Sequence, residues 1–137
     1  MELPSKEDYK ILIELIGNID PNLVGISVRS PFLSIAGHIT REIQQRLEKP
    51  VLWGGTHATV APEQSIQIAD MICLGEGEHA LLELAQKSSH NRKISDIQNL
   101  WIREDSTIHR NPIRTLVEDV NSFPFPFDQT KPSWTDL

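Results

Sequence analysis

The chain has 137 residues, 39% of them apolar, and a net charge of −6 with thirteen Lys and Arg scattered along it. That is material for one core, and the acidic balance argues against a nucleic-acid groove or an anionic membrane surface as partner. A single cysteine rules out an internal disulfide framework, and no apolar stretch reaches bilayer length or follows a basic signal-peptide start, the pattern of a soluble cytoplasmic chain.

Ser5-Lys6-Glu7-Asp8 reads as a helix start, and Tyr9, Leu12, Ile13 and Ile16 recur at helical spacing up to Gly17, where a stop is expected. Asp20-Pro21-Asn22 is turn chemistry, and the apolar run Leu23 to Val28 has the composition of a strand buried on both faces. Ser34 is placed to cap a second helix, whose Ile35, Ile39, Ile43 and Leu47 form a stripe ending before Pro50. A strand at 51–54 follows, then a short helix at 62–68 opened by Pro62, a strand at 70–74 and a helix at 78–87. Leu100-Trp101-Ile102-Arg103 and Thr107-Ile108-His109, joined by the polar turn Glu104-Asp105-Ser106, read as a β-hairpin that caps or extends the sheet. From Asn121 the run Phe123-Pro124-Phe125-Pro126-Phe127, with Pro132, fits neither a regular helix nor a central strand.

Alternating helices and apolar strands of this length predict a three-layer α/β fold with strands 23–28, 51–54 and 70–74 parallel and the hairpin outside that run. Two glycine turns then locate a site, because ligands of such folds bind beyond the carboxyl ends of the strands. The first is Trp53-Gly54-Gly55-Thr56-His57 and the second Leu74-Gly75-Glu76-Gly77-Glu78. Gly54 and Gly55 either turn the chain or let a ligand approach the backbone. His57 is a ligand contact or a hydrogen-bonded loop residue. Glu76 and Glu78 form an acid/base pair or favour the start of a helix, where a carboxylate contributes about 0.3–1 kcal/mol. Cys73, between Ile72 and Leu74, reads as a buried inert thiol, and Trp53 and Trp101 read as core aromatics rather than stacking platforms.

Taken in order, these segments resemble the cobalamin-binding domain of cobalamin-dependent radical SAM enzymes. The resemblance runs from Asn22-Leu23-Val24-Gly25-Ile26-Ser27 through Leu52-Trp53-Gly54-Gly55-Thr56-His57-Ala58-Thr59, Pro62-Glu63, Ala69-Asp70 and Gly75-Glu76-Gly77-Glu78. It continues into Ile97-Gln98-Asn99-Leu100-Trp101-Ile102-Arg103, Asn111-Pro112 and Phe123-Pro124-Phe125-Pro126. The resemblance implies a flavodoxin-like, Rossmann-like half-sandwich with a C-terminal hairpin that holds the nucleotide tail of cobalamin, with Ser27, Gly54, Gly55, Thr56, His57, Gly75, Glu76 and Gly77 as its cofactor-binding residues. Arg29 departs from the leucine of the better-known Ser-x-Leu version. The Asp-x-His-x-x-Gly loop that would supply a lower cobalt ligand is absent.

The same resemblance implies three segments: a partial cobalamin-binding α/β domain at 1–96, a hairpin extension at 97–120 and a Pro/Phe-rich linker at 121–137 leading to a radical SAM barrel. One helix precedes Leu23, so the domain is expected to be amino-terminally incomplete and to lack its central strand. S-adenosylmethionine and a 4Fe-4S cluster belong to that barrel, since Cys73 alone cannot supply three thiolates. The expected role is therefore a noncatalytic cofactor module of a methyltransferase or related enzyme, binding cobalamin weakly or not at all by itself. An α/β interaction domain that has lost the cofactor is the alternative. An exposed strand at 23–28 would also favour a homodimer or higher self-association.

Overall fold

The structure is a computed structural model and describes residues 4–119. Helix α1 (Lys6–Ile19) opens with the expected capping box: the Asp8 amide donates to Ser5 Oγ at 3.2 Å and the Ser5 amide to Asp8 Oδ2 at 2.7 Å. It does not stop at Gly17. The helix runs to Ile19 and closes on Asp20, which is left-handed at φ 49°. Gly17 instead marks where α1 lies close to the second helix, since a Cβ there would stand 3.3 Å from Leu47 Cδ2.

Strand β1 (Val24–Ser27) leads through a 3-10 turn at Ser30–Phe32 into α2 (Leu33–Leu47). Ser34 therefore lies inside the first helical turn rather than capping it. The 3-10 turn, with Pro31 pre-set for it, feeds the helix directly, and no side chain caps its amino end. Strand β2 (Val51–Gly54) passes without a loop into α3 (Gly55–Val60), a helix the sequence pattern does not mark, and α4 (Pro62–Ile66) follows. Strand β3 (Met71–Cys73), α5 (Glu78–Ser89) and the hairpin β4 (Leu100–Glu104) and β5 (Thr107–Arg110) complete the described fold. The proline-rich stretch from Asn121 lies outside the described residues.

The sheet order is β1-β2-β3-β4-β5, with β1, β2 and β3 parallel as expected. The hairpin extends the sheet past β3, antiparallel to it, with Ile72 opposite Trp101. Helices α1 to α4 cover one face around Val28, Ile43, Val51, Trp53 and Ile72; α5 and the segment before β4 cover the other around Leu52, Cys73, Leu84, Ile97 and Leu100. Trp53 is fully buried, and its Nε1 donates to Thr40 Oγ1 at 2.8 Å, which in turn donates to the Ala36 carbonyl. It is a core residue, and so is the buried Cys73, whose thiol pKa is pushed up by desolvation.

Strand β1 is not buried on both faces. Val24 and Ile26 pack toward the first core, whereas Gly25 and Ser27 are exposed on the other side. Among the described residues β1 pairs with β2 alone, so it forms the edge of the sheet. Apolar composition reports what a strand can bury, not how many neighbours it has.

At the base of the sheet Asp70 ties three elements together. Its Oδ2 accepts from the Val51 amide at 2.9 Å and Gln44 Nε2 at 3.0 Å, and its Oδ1 faces Arg103 Nη2 at 3.4 Å. A cleft of about 450 Å³ opens beside this cluster, but the carboxylate at its centre is already engaged within the fold.

Candidate functional site

The two glycine turns meet at the carboxyl ends of the parallel strands. Ser27 stands opposite Gly54 in the β1–β2 register, and Gly25 opposite Leu52. The Val28 amide donates to the Gly54 carbonyl at 2.8 Å, and the His57 amide to the Val28 carbonyl at 3.0 Å, so β1 and the start of α3 are clamped together.

The two glycines of the first turn do different work. Gly55 has φ +85°, and a Cβ on it would lie 2.8 Å from Ser27 Oγ and 2.9 Å from the Val28 carbonyl oxygen. Only glycine fits that junction. A Cβ on Gly54 would meet nothing within 4 Å, and the same is true of Gly25. Residues of one parity on a strand share a face, so Leu23, Gly25 and Ser27 of the β1 segment lie beside Leu52 and Gly54. Leu23 and Leu52 belong to the core under α5. The result is a strip of small residues, open above, on the α5 side of the sheet.

On the same side of the sheet, between α5 and the amino-terminal ends of β1 and β2, lies a cleft of about 620 Å³ lined by Leu23, Pro50, Met71, Leu81, Leu84 and Ile94 among others. Its lining is mostly apolar, with Asn22, Ser88 and Ser89 as its polar residues. A cleft of this volume is within the range of small-molecule sites.

The second turn is held by residues that the sequence pattern does not single out as site residues. Asn99 is buried and left-handed at φ 70°; its Nδ2 donates to the Leu74 carbonyl at 2.8 Å and the Glu76 carbonyl at 3.0 Å. Its Oδ1 accepts from the Arg114 amide at 2.7 Å. The Gly75 amide donates to Thr59 Oγ1 at 3.0 Å, and Thr59 donates to the Gly55 carbonyl, joining the two turns. Gly75, at φ +68°, and Glu76 are exposed, and Gly77 precedes α5 with Glu78 in its first turn. An asparagine at positive φ whose amide faces two carbonyls is a turn brace. Its partners lie fifteen to twenty-five residues away, which is why spacing does not reveal it.

Thr56 is exposed at the mouth of the first turn. The His57 ring is 5% exposed; its Nδ1 is 2.9 Å from Ser30 Oγ, and its Nε2 has no partner among the described residues. The ring thus ties α3 to the loop after β1. On that loop the Arg29 guanidinium lies over the Phe32 ring, 5.0 Å from its centroid, a cation–π contact. Trp101 carries Arg110 on its face at 5.3 Å, within the hairpin rather than at the site. No group of three or more His, Cys, Asp or Glu side chains placed to hold a metal occurs among the described residues.

A small-residue strip at the carboxyl ends of parallel strands, with an apolar cleft beside it, is the arrangement of a cofactor-binding α/β domain. Residues 4–85 match the family model of the B12 binding domain, and the chain belongs to that family. It is 28% identical over 124 residues to the uncharacterized methyltransferase PH0819 of Pyrococcus horikoshii, covering 86% of this chain and 27% of that protein.

Among solved structures it is similar to the radical S-adenosylmethionine methyltransferase TsrM from Kitasatospora setae, with cobalamin and a [4Fe-4S] cluster bound: 26% identity, TM-score 0.69, 84% of this chain and 23% of that one. It shares its fold with the cobalamin-dependent S-adenosylmethionine radical enzyme OxsB, with aqua-cobalamin and S-adenosylmethionine bound, at 21% identity and TM-score 0.68 over 79% of this chain and 16% of that one. The chain therefore spans about a quarter or less of the length of these proteins. No described helix is long and apolar enough to cross a membrane.

Proposed function

We propose that this chain is the cofactor module of a cobalamin-dependent radical SAM enzyme, a methyltransferase or a relative of one, and that it holds the nucleotide tail of cobalamin without itself catalysing a reaction. The observation that carries this reading is the open strip of Gly25, Ser27 and Gly54 toward the carboxyl ends of β1 and β2, in a chain of the B12-binding family. Ser27 offers a hydroxyl beside the strip. Gly54 leaves the backbone bare to an approaching group, and the Gly75–Gly77 turn closes the far side. Thr56 lies at the entrance, while His57 shapes it from behind through Ser30.

Bound cobalamin supplies methyl-group or cobalt redox chemistry. The single cysteine leaves the iron-sulfur cluster and S-adenosylmethionine to a separate barrel, the chemistry for which this chain has no ligands.

Affinity is expected to be low, because the outer edge of β1 is open among the described residues and the strip is correspondingly unwalled on that side. That edge, with Ile11, Leu15 and Ile19 exposed on α1, is where a second copy of the chain would associate in solution.

The test is a spectroscopic titration with hydroxocobalamin. Saturable binding with a dissociation constant above about 1 μM, lost in Gly54→Leu with the fold retained, supports the reading. No saturation up to about 1 mM would overturn tail binding by this chain on its own and favour the α/β interaction domain without the cofactor. Reconstitution with iron and sulfide under anaerobic conditions should give no four-iron cluster absorbance.

A further inference from the structure

A second site candidate lies in the helical layer on the opposite face of the sheet from α5. Two sets of side chains at helical spacing meet there: Lys6, Tyr9 and Lys10 of α1, and His38, Glu42 and Arg46 of α2, each one turn from the next. They line a groove of about 230 Å³. The Tyr9 and His38 rings pack edge to face, 4.4 Å between centroids. Both residues are half-buried, and neither the Tyr9 hydroxyl nor the His38 ring nitrogens have a hydrogen-bond partner among the described residues.

The charge in this groove runs against that of the chain. Lys6, Lys10 and Arg46 stand with one carboxylate, Glu42, in a sequence of net charge −6. Elsewhere Lys49, Lys87, Arg103, Arg110 and Arg114 each pair with a carboxylate. In the groove the pairing is incomplete. Lys6 has no ion pair among the described residues, and Lys10 has only Glu7, 3.7 Å away, with both side chains more than half exposed. Glu42 is engaged by Arg46 at 2.9 Å. Like charges one helical turn apart, as Lys6 and Lys10 are, repel, and a bound anion relieves that repulsion. The start of α1 is already capped by Ser5 with Asp8, so the side chains and not the helix end make the site.

We propose that this groove binds a small phosphate-bearing anion, at a site separate from the cofactor strip and independent of it. Lys6, Lys10 and Arg46 supply charge to the phosphate oxygens, and the Tyr9 hydroxyl and His38 imidazole supply directed hydrogen bonds. Glu42 sets the selectivity: an ionised carboxylate only accepts, so it repels sulfate but accepts from the P–OH that inorganic phosphate retains at neutral pH. The groove is smaller than the pockets that hold drug-sized ligands, which leaves room for a phosphate with a small organic group and not for a dinucleotide.

The experiment is isothermal titration calorimetry of the full chain with inorganic phosphate, and with sulfate at matched ionic strength, at neutral pH. Phosphate is expected to bind at one site with a dissociation constant of about 1 mM or tighter, and sulfate about fivefold or more weaker. Lys6→Gln combined with Lys10→Gln should weaken phosphate binding about tenfold, and Tyr9→Phe, which keeps the ring against His38, about threefold, both with unchanged circular dichroism spectra. Glu42→Gln should remove the discrimination against sulfate. Arg92→Gln with Lys93→Gln, which takes two exposed charges from outside the groove, should change the affinity less than about twofold. No saturation by phosphate up to about 20 mM would overturn the proposal. Equal affinity for phosphate and sulfate in the parent chain would also sink it, as would equal weakening by the two double variants, since the groove would then be a diffuse positive surface. The hydroxocobalamin titration is untouched by any of these results.

Discussion

Gly55→Ala and Gly54→Ala should separate the part of the first turn that holds the fold from the part that leaves room. At Gly55 a methyl group meets three atoms at once: Ser27 Oγ at 2.8 Å, the Val28 carbonyl oxygen at 2.9 Å and the Val28 amide nitrogen at 3.0 Å. Two of these are backbone atoms fixed by the bonds of Val28 to Gly54 and His57, so they cannot swing away. A left-handed conformation costs a non-glycine residue about 1–2 kcal/mol. Crowding against a rigid neighbour adds about 1–3 kcal/mol. Together they remove about 3 kcal/mol from a domain whose total stability is on the order of 5–15 kcal/mol. The midpoint of thermal unfolding should fall by roughly 10 °C or more.

At Gly54 the backbone is extended (φ −123°) and nothing lies within 4 Å of the added methyl. Alanine there should leave stability unchanged or raise it by about 0.4–1 kcal/mol, because the unfolded chain loses freedom. Urea and thermal unfolding followed by circular dichroism measure both variants, and the hydroxocobalamin titration of Gly54→Ala shows whether the open space is used. Equal midpoints for Gly55→Ala and the parent chain would refute the role given to the Gly55 junction.

Three further outcomes are expected. Asn99→Leu leaves the Leu74 and Glu76 carbonyls without their donor and puts a branched side chain at positive φ, so it should cost on the order of 2 kcal/mol or more. Hydrogen exchange should speed up first in the Gly75–Gly77 turn; unchanged exchange there would contradict the bracing role. Asp20, Glu63, Glu83 and Asp96 are held below their ordinary values by Lys49, Arg110, Lys87 with Arg114, and Lys87 respectively. The folded chain then binds fewer protons than the unfolded one in acid, so stability is full above the ordinary values of 3.8 for Asp and 4.5 for Glu and falls as pH drops toward the depressed ones. Glu83→Gln should make the acid loss shallower in urea titrations at stepped pH; an unchanged slope argues against the Lys87 and Arg114 pairing. Light scattering across a dilution series should detect a species heavier than the monomer, reduced by Gly25→Lys, which puts a charge on the open edge of β1 without entering the core. A monomer at every concentration would exclude pairing through that edge.

The parallel core was legible because each of its signals is local. An apolar run ended by glycine marks Val51 to Gly54, and the stripe of Ile35, Ile39, Ile43 and Leu47 marks α2 without reference to anything distant. The sequence is silent where a residue's meaning depends on what it touches. Gly17 looks like a stop but serves as a helix contact, and Ser34 looks like a cap although Pro31 has already started the turn. The burial of β1 depends on its neighbours, which its own composition does not report. At the site, the glycines and Ser27 were visible from the chain, while Asn99, Thr59 and the Ser30–His57 pair were not, because hydrogen bonds across many residues leave no spacing to read.

The Asn99 brace also bears on how such a module can be moved between proteins. The family match ends at residue 85, yet the side chain that sets the shape of the Gly75–Gly77 turn comes from position 99 and is itself held by the Arg114 amide. A chimera cut at the end of the matched region would transplant the ligand-facing turn without the hairpin segment that shapes it. Grafts that carry the chain through at least Arg114 should keep the transplanted turn in its native form, so the practical unit of exchange is set by these long-range hydrogen bonds rather than by the extent of sequence similarity.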